Sequence, residues 1–237
     1  MARVEVEDLG RMAYRDAWAY QERVHAEVLA GGRERLLLLE HPPVITTGRR
    51  PGQGKNILRA GDALAARGVE LVESDRGGDV TFHGPGQLIA YPILRLGDQG
   101  FTVSGYVHFL EDVIVSTLAA CGITGGKDPC AIGVWTRDGR ALAKIAAIGV
   151  RIRRGVTLHG LALNVTTDLN FFDLIVPCGL VGRPVTSVQR LLAERTPTME
   201  RMKKLLAAQF ESGLGILPER SSGATVSACP GATPKPR

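Results

Sequence analysis

The 237-residue sequence has little of what marks a metalloprotein, a disulfide-stapled domain or a membrane protein. Its four cysteines, Cys121, Cys130, Cys178 and Cys229, show no CxxC spacing and no paired histidines nearby, so neither a metal site nor a disulfide framework is indicated. Any special cysteine is then special for its reactivity. No apolar run approaches the roughly eighteen residues of a membrane span. The N-terminal MARVEVEDLG carries acidic residues where a signal peptide has its apolar stretch. A soluble, cytoplasmic protein is expected, with no membrane contact. Nor is there a Lys/Arg stripe interleaved with aromatics, which argues against nucleic acid as a partner. The net charge is +5, and the stretch from Glu219 to Arg237 supplies part of it through Arg220, Lys235 and Arg237 against Glu219. The small remaining excess suits an acidic partner.

What is present is enough apolar residue, 44% of the chain, to bury one good-sized core without metals or disulfides. Residues 1–218 are expected to form a single globular domain. From about Arg220 the sequence is small, polar and rich in proline and glycine, so 219–237 reads as a disordered tail. Tyr14, Ala17, Trp18, Val24 and Val28 share one helical face that ends at Gly31-Gly32. Leu36 to Leu39 reads as a buried strand, and Val44 to Thr47 resumes extended structure. A second helix from about Ser104 to Gly122 presents Val107, Leu110, Ile114, Leu118 and Cys121. Asp138-Gly139 predicts a hairpin turn before the run from Leu142 to Ile152, and another strand follows over Thr157 to Val165. Thr186 to Gln189 reads as a capping box opening one helix. Thr196-Pro197 opens another, bearing Met199, Met202, Leu206 and Phe210. Helices and strands mix without a βαβ rhythm, which predicts an α+β fold: a mixed sheet with packed helices.

Several residues carry possible chemistry. The segment from Asp75 to Gln87 is dense in glycine, which lets backbone N–H groups approach a ligand, with Arg76 and His83 as polar contacts. It lacks the Gly-Lys-Ser/Thr ending of a phosphate-binding loop and serves equally as a structural hairpin. Lys144 is the lone charge in Ala141 to Gly149. If both faces of that strand are covered, its amine becomes usable as a base near neutral pH. In isolation the plain reading is an edge or snorkelling lysine. Cys178 sits between Pro177 and Gly179 at the end of an apolar run, a way to hold a thiol at a pocket wall. A lone cysteine beside apolar residues is also an ordinary inert core thiol, and Cys121 and Cys130 share that reading. Cys229, in the tail, is a poor catalytic candidate. His41 and His159 read as hydrogen-bonded structural histidines, and spacing does not choose His41, His83 or His159 as a base for Cys178.

Taken together, RGGDVTFHGPGQL (76–88), KIAAIGV (144–150), LHGLALNV (158–165) and IVPCGL (175–180) resemble the octanoyltransferase family, octanoyl-[acyl-carrier-protein]:protein N-octanoyltransferases. The resemblance runs from Glu40-His41-Pro42 through Cys178. It implies a fold shared with lipoate-protein and biotin protein ligases. It also implies a reaction in which octanoyl passes from acyl carrier protein to Cys178 as a thioester. From there it goes to the lysine ε-amine of lipoyl domains of 2-oxoacid dehydrogenase complexes and of the glycine cleavage H protein. Lys144 is the implied acid/base partner. The implied substrate-contacting residues are Arg76, Gly77, Gly78, Asp79, Val80, Thr81, Phe82 and His83, with Ala147, Ile148, Gly149, Gly160, Leu161 and Ala162. No cofactor is implied beyond the phosphopantetheine that carries the acyl group. Asp79 departs from the family pattern, where an uncharged or basic residue is usual. The competing readings are an ATP-dependent lipoate or biotin ligase, a Cys-His thioester hydrolase, and a non-catalytic module that binds carrier protein.

Overall fold

The computed structural model describes residues 4–49, 56–59, 61–176 and 182–214. Among the described residues, ten strands and five α-helices follow one another as β1 (Glu5–Arg11), α1 (Tyr14–Leu29), β2 (Arg35–Glu40), β3 (Val44–Thr47), α2 (Gly61–Ala65), β4 (Glu70–Glu73), β5 (Thr81–His83), β6 (Gln87–Ile93), α3 (Val103–Ala119), β7 (Gly125–Asp128), β8 (Ala131–Asp138), β9 (Ala141–Arg153), β10 (Val156–Asn164), α4 (Val188–Leu192) and α5 (Met199–Leu214). Seven strands form one sheet in the order β1-β2-β6-β10-β9-β8-β7, and β4-β3-β5 form a second. In the large sheet β1 and β2 run parallel and the other neighbours antiparallel. The expected mixed sheet with packed helices is the observed architecture.

Layering explains the sequence pattern. The Leu36–Leu39 run is continuous because both faces of β2 are covered: Leu36 and Leu38 join a core with α3 and α5, while Leu37 and Leu39 face α1. All nine residues of β10 are buried for the same reason, hence the imperfect alternation there. Phe109 of α3 meets Phe210 of α5 edge to face, with ring centroids 5.2 Å apart. The small sheet builds its own core from Ile45, Val80 and Phe82 against Phe172, Leu174 and Ile175.

Some expectations shift. The cap of α4 is not Thr186 but Ser187, whose hydroxyl accepts from the Arg190 N–H at 3.2 Å. The Thr186 hydroxyl is already engaged, donating to Asp138 at 2.9 Å. The helix expected at Thr196-Pro197 begins at Met199, with the Thr198 hydroxyl accepting from the Arg201 N–H. Residues 75–87 are more than a connecting hairpin, since they contain β5 and lead from the small sheet into β6 of the large one. The expected tail, 219–237, lies outside the described residues. Among the described residues, no helix is long and apolar enough to cross a membrane.

Candidate active site

Lys144 lies on β9 where the neighbouring β10 has run out. The segment after residue 181 takes that place, with the Lys144 N–H donating to the Pro184 carbonyl and the Thr186 N–H donating to the Lys144 carbonyl, both at 2.9 Å. A bulge occurs at the same point: Val134 pairs with Ala146 but Trp135 pairs with Lys144, so Ile145 is the extra residue of β9. Lys144 is only 7% exposed, and its ammonium lies 5.3 Å from the centre of the Trp135 ring. Arg183 covers the same ring at 4.0 Å and is ion-paired with Asp128.

Lys144 forms part of the wall of an open cleft of about 600 Å³ that also includes Gly77, Glu111, Asp128 and Cys130. A narrower slot, about 40 Å³, adjoins it and shares Gly78, Asp79, Ile148 and Gly149 with it. Among the other slot residues are Arg76, Thr81, His83, Ala147, Gly160, Leu161 and Ala162. Three distant sequence segments therefore meet around one cavity. Val80 and Phe82 do not join them, since strand alternation turns both into the small-sheet core. Tyr14 and Tyr91 also line the slot, and no local motif singled them out.

The inner end of the slot is a fixed polar-aromatic cluster. Tyr14 stacks between His83 and His159, with interplanar angles of 12° and 9°. His41, His83 and His159 each have named partners, as the structural reading of His41 and His159 expects. The His41 Nδ1–H donates to the Met12 carbonyl at 2.7 Å, so its Nε2 accepts from the Tyr91 hydroxyl at 2.8 Å. His83 Nδ1 pairs with Gln87 Oε1 at 2.8 Å, and the Gln87 amide donates to Asn164 at 2.9 Å. The Asn164 amide donates in turn to the Thr186 carbonyl at 3.0 Å, linking the slot to the segment beside Lys144. His159 Nε2 lies 2.7 Å from Asp75, which also pairs with Arg151. The Arg76 guanidinium is buried and donates to the Thr46 carbonyl and hydroxyl and to the Gly77 carbonyl. The Asp79 carboxylate accepts both bonds of the Asn56 amide, at 3.0 and 3.1 Å, so the unusual acid has a defined partner.

Burial disfavours the imidazolium in this cluster. It lowers the His41 pKa to about 4 despite the Met12 hydrogen bond, and takes His83 well below the usual histidine value, helped by the nearby His41 and Arg76 charges. Since His41 titrates lower in the folded than in the unfolded chain, its contribution to stability is complete above about pH 6.5 and is lost as pH falls toward 4. That contribution is about 3 kcal/mol at most. Urea unfolding midpoints should fall between pH 7 and pH 4.5, and His41→Gln should show a shallower dependence over that window. An identical slope in the variant would refute the assignment.

Cys178 and Cys229 lie outside the described residues. On either side of 177–181 the chain is pinned, by the Val176 N–H to the Asn56 carbonyl at 2.8 Å and by the Pro184 and Thr186 bonds to Lys144. Cys121 is the free cysteine among the described residues, and its half-buried thiol donates to the Met202 sulfur at 3.6 Å, as a core thiol would. Cys130 corrects the reading of the cysteines: it is disulfide-bonded. Disulfides need closeness in space, and that is invisible in sequence spacing. Among the described residues no three His, Cys, Asp or Glu side chains converge as metal ligands.

The lipoyl protein ligase A/B catalytic domain family model matches residues 13–211. An octanoyltransferase of Chloroflexus aurantiacus is 47% identical over 209 residues, 87% of this chain and 92% of that protein. The chain belongs to the octanoyltransferase family. The fold is also seen in solved structures of much lower sequence identity. A bipartite lipoate protein ligase of Thermoplasma acidophilum, solved in a study with its E2 lipoyl domain, superposes with a TM-score of 0.75 at 18% identity, over 95% of this chain and 88% of that one. A biotin protein ligase of Aquifex aeolicus superposes at 0.51 with 11% identity, over 89% of this chain and 70% of that one.

Proposed function

We propose that this chain takes an octanoyl group from octanoyl-acyl carrier protein onto Cys178 as a thioester and passes it to the lysine ε-amine of lipoyl domains, opening the assembly of protein-bound lipoate in the cytoplasm. Those acceptors are the lipoyl domains of 2-oxoacid dehydrogenase complexes and the glycine cleavage H protein. The observation that carries this reading is the placement of Lys144: buried, in the wall of an open cleft that adjoins a narrow slot, and bonded through its backbone to the segment that follows Cys178.

The chemistry follows from those groups. A thiolate is a much better nucleophile than a thiol, and the Lys144 ammonium stabilises it. Attack on the carrier thioester expels the phosphopantetheine thiolate, which Lys144 protonates; the neutral amine then accepts a proton from the incoming lysine. Thioester to amide is downhill, so neither ATP nor a resident cofactor is needed. Ile148, Leu161 and Ala162 offer the acyl chain an apolar wall, where each buried methylene contributes about 0.8 kcal/mol.

The reduced protein should gain the mass of one octanoyl group at Cys178 on mixing with octanoyl-acyl carrier protein without ATP, and lose it to an added lipoyl domain. Cys178→Ser should show no stable transfer. An increment that appears only with ATP would favour the ligase chemistry, and one lost to water with the acceptor present would favour a hydrolase.

A further inference from the structure

Glu111 is a carboxylate on α3 with 3% exposure, and it forms part of the same cleft wall as Lys144. Its Oε1 accepts from the Gly133 N–H at 3.1 Å, reaching from the helix to β8, and its Oε2 accepts from His108 Nδ1 at 2.9 Å. Gly133 has φ +120°, and a Cβ there would lie 2.6 Å from Lys144 Cε and 2.5 Å from the Ala146 carbonyl oxygen. The lysine stem therefore lies directly against the Gly133 backbone, one residue before the bulge that separates the Val134 and Trp135 pairings. A buried N–H left without an acceptor is costly, so the Glu111 oxygen that meets the Gly133 N–H ties that backbone to α3.

We propose that Glu111 is a positioning residue for Lys144: by anchoring the Gly133 N–H it fixes the backbone against which the lysine stem packs, and so sets where the ammonium stands in the cleft. This rests on the acyl-transfer reading above for its catalytic consequence, but not for the geometry itself. Glu111 touches no reacting atom in this scheme. A displacement of about 1 Å at an acid/base group costs on the order of 10²-fold in turnover.

The test compares Glu111→Gln, which keeps an oxygen acceptor for the Gly133 N–H in the same volume, with Glu111→Ala, which removes it. Octanoyl transfer from octanoyl-acyl carrier protein to a lipoyl domain is measured alongside the reactivity of Lys144. That reactivity is read by mass spectrometry after brief acetic anhydride treatment, with exposed Lys204 as internal reference. Glu111→Gln should stay within about threefold of wild type in both, the rescue that an anchoring role requires. Glu111→Ala should lose on the order of 10²-fold in kcat with little change in KM, and its Lys144 labelling should differ several-fold from wild type. If the alanine variant does not fold, Glu111→Leu, which fills the volume without an acceptor, takes its place. Wild-type kcat in the acceptor-free variant, or lost kcat with unchanged Lys144 labelling, overturns the proposal. Should Lys144→Met transfer octanoyl as well as wild type, the catalytic reading fails, and the labelling ratio still decides whether Glu111 positions the lysine.

Discussion

Lys144→Met should leave the fold standing and reduce octanoyl transfer by about 10² to 10⁴-fold, the usual span for removing a general acid/base. Methionine keeps an unbranched stem to pack against Trp135 and the Gly133 backbone but has no ammonium to stabilise a thiolate or return a proton. Both half-reactions should suffer, so single-turnover acylation by octanoyl-acyl carrier protein and transfer to the lipoyl domain should each be slow. Lys144→Arg is the sharper comparison. It retains a positive charge, but a longer, planar guanidinium must fit where the lysine stem packs against the Gly133 backbone and its ammonium lies by the Trp135 ring. We expect it to lose nearly as much turnover as methionine and to melt earlier. Circular dichroism melts and single-turnover mass spectrometry check both parts, and turnover within tenfold of wild type in Lys144→Met would remove the lysine from the mechanism.

The placement of Lys144 also shows how far a sequence can be read without its fold. Burial of Lys144 was a condition that the sequence could state but not decide; the segment after residue 181 closes the strand edge beside it and the Trp135 ring lies against its ammonium, contacts that only the fold creates. Elements with a strong period are legible: α3 buries Leu110, Ile114 and Leu118 of its marked stripe, α5 buries Met202, Leu206 and Phe210, and β2 buries its apolar run, while Val107, Cys121 and Met199 are only half-buried. The strands β1, β4 and β7 carry no such mark, because their side chains are mostly exposed or half-exposed and leave no alternation to detect. Within the glycine-rich segment, Arg76 and His83 were legible as polar residues amid glycine. Which neighbours face the slot was not, because Val80 and Phe82 turn away only once β5 is placed in the small sheet. Glu111 is hidden most deeply: an acid on a helix reads as solvated, and only the approach of Gly133 makes it a buried anchor.

Gly160→Ala should be among the most damaging substitutions of a single methyl group in this chain, although its neighbours Leu161 and Ala162 carry side chains in the same strand. A Cβ on Gly160 would come within 2.1 Å of the Ala90 carbonyl oxygen and 2.8 Å of Pro92 Cδ. These are backbone and ring atoms of β6, which cannot rotate aside. The register pairs Leu161 with Ala90, so relief requires the central β6–β10 contact to open. Overpacking of this kind costs about 3 kcal/mol when the obstacle is rigid, which for a chain of this size lowers the melting temperature by roughly 6 to 12 °C. Gly160 also lines the slot, so on the acyl-transfer reading proposed above any surviving enzyme should show a higher KM for octanoyl-acyl carrier protein. Gly97→Ala is the control: nothing lies within 4 Å of its Cβ position, and its melting temperature should stay within a few degrees of wild type. If both variants melted alike, β6 and β10 would have to separate at little cost, and the slot that they help to wall would be a compliant surface and not a fixed measure of chain length.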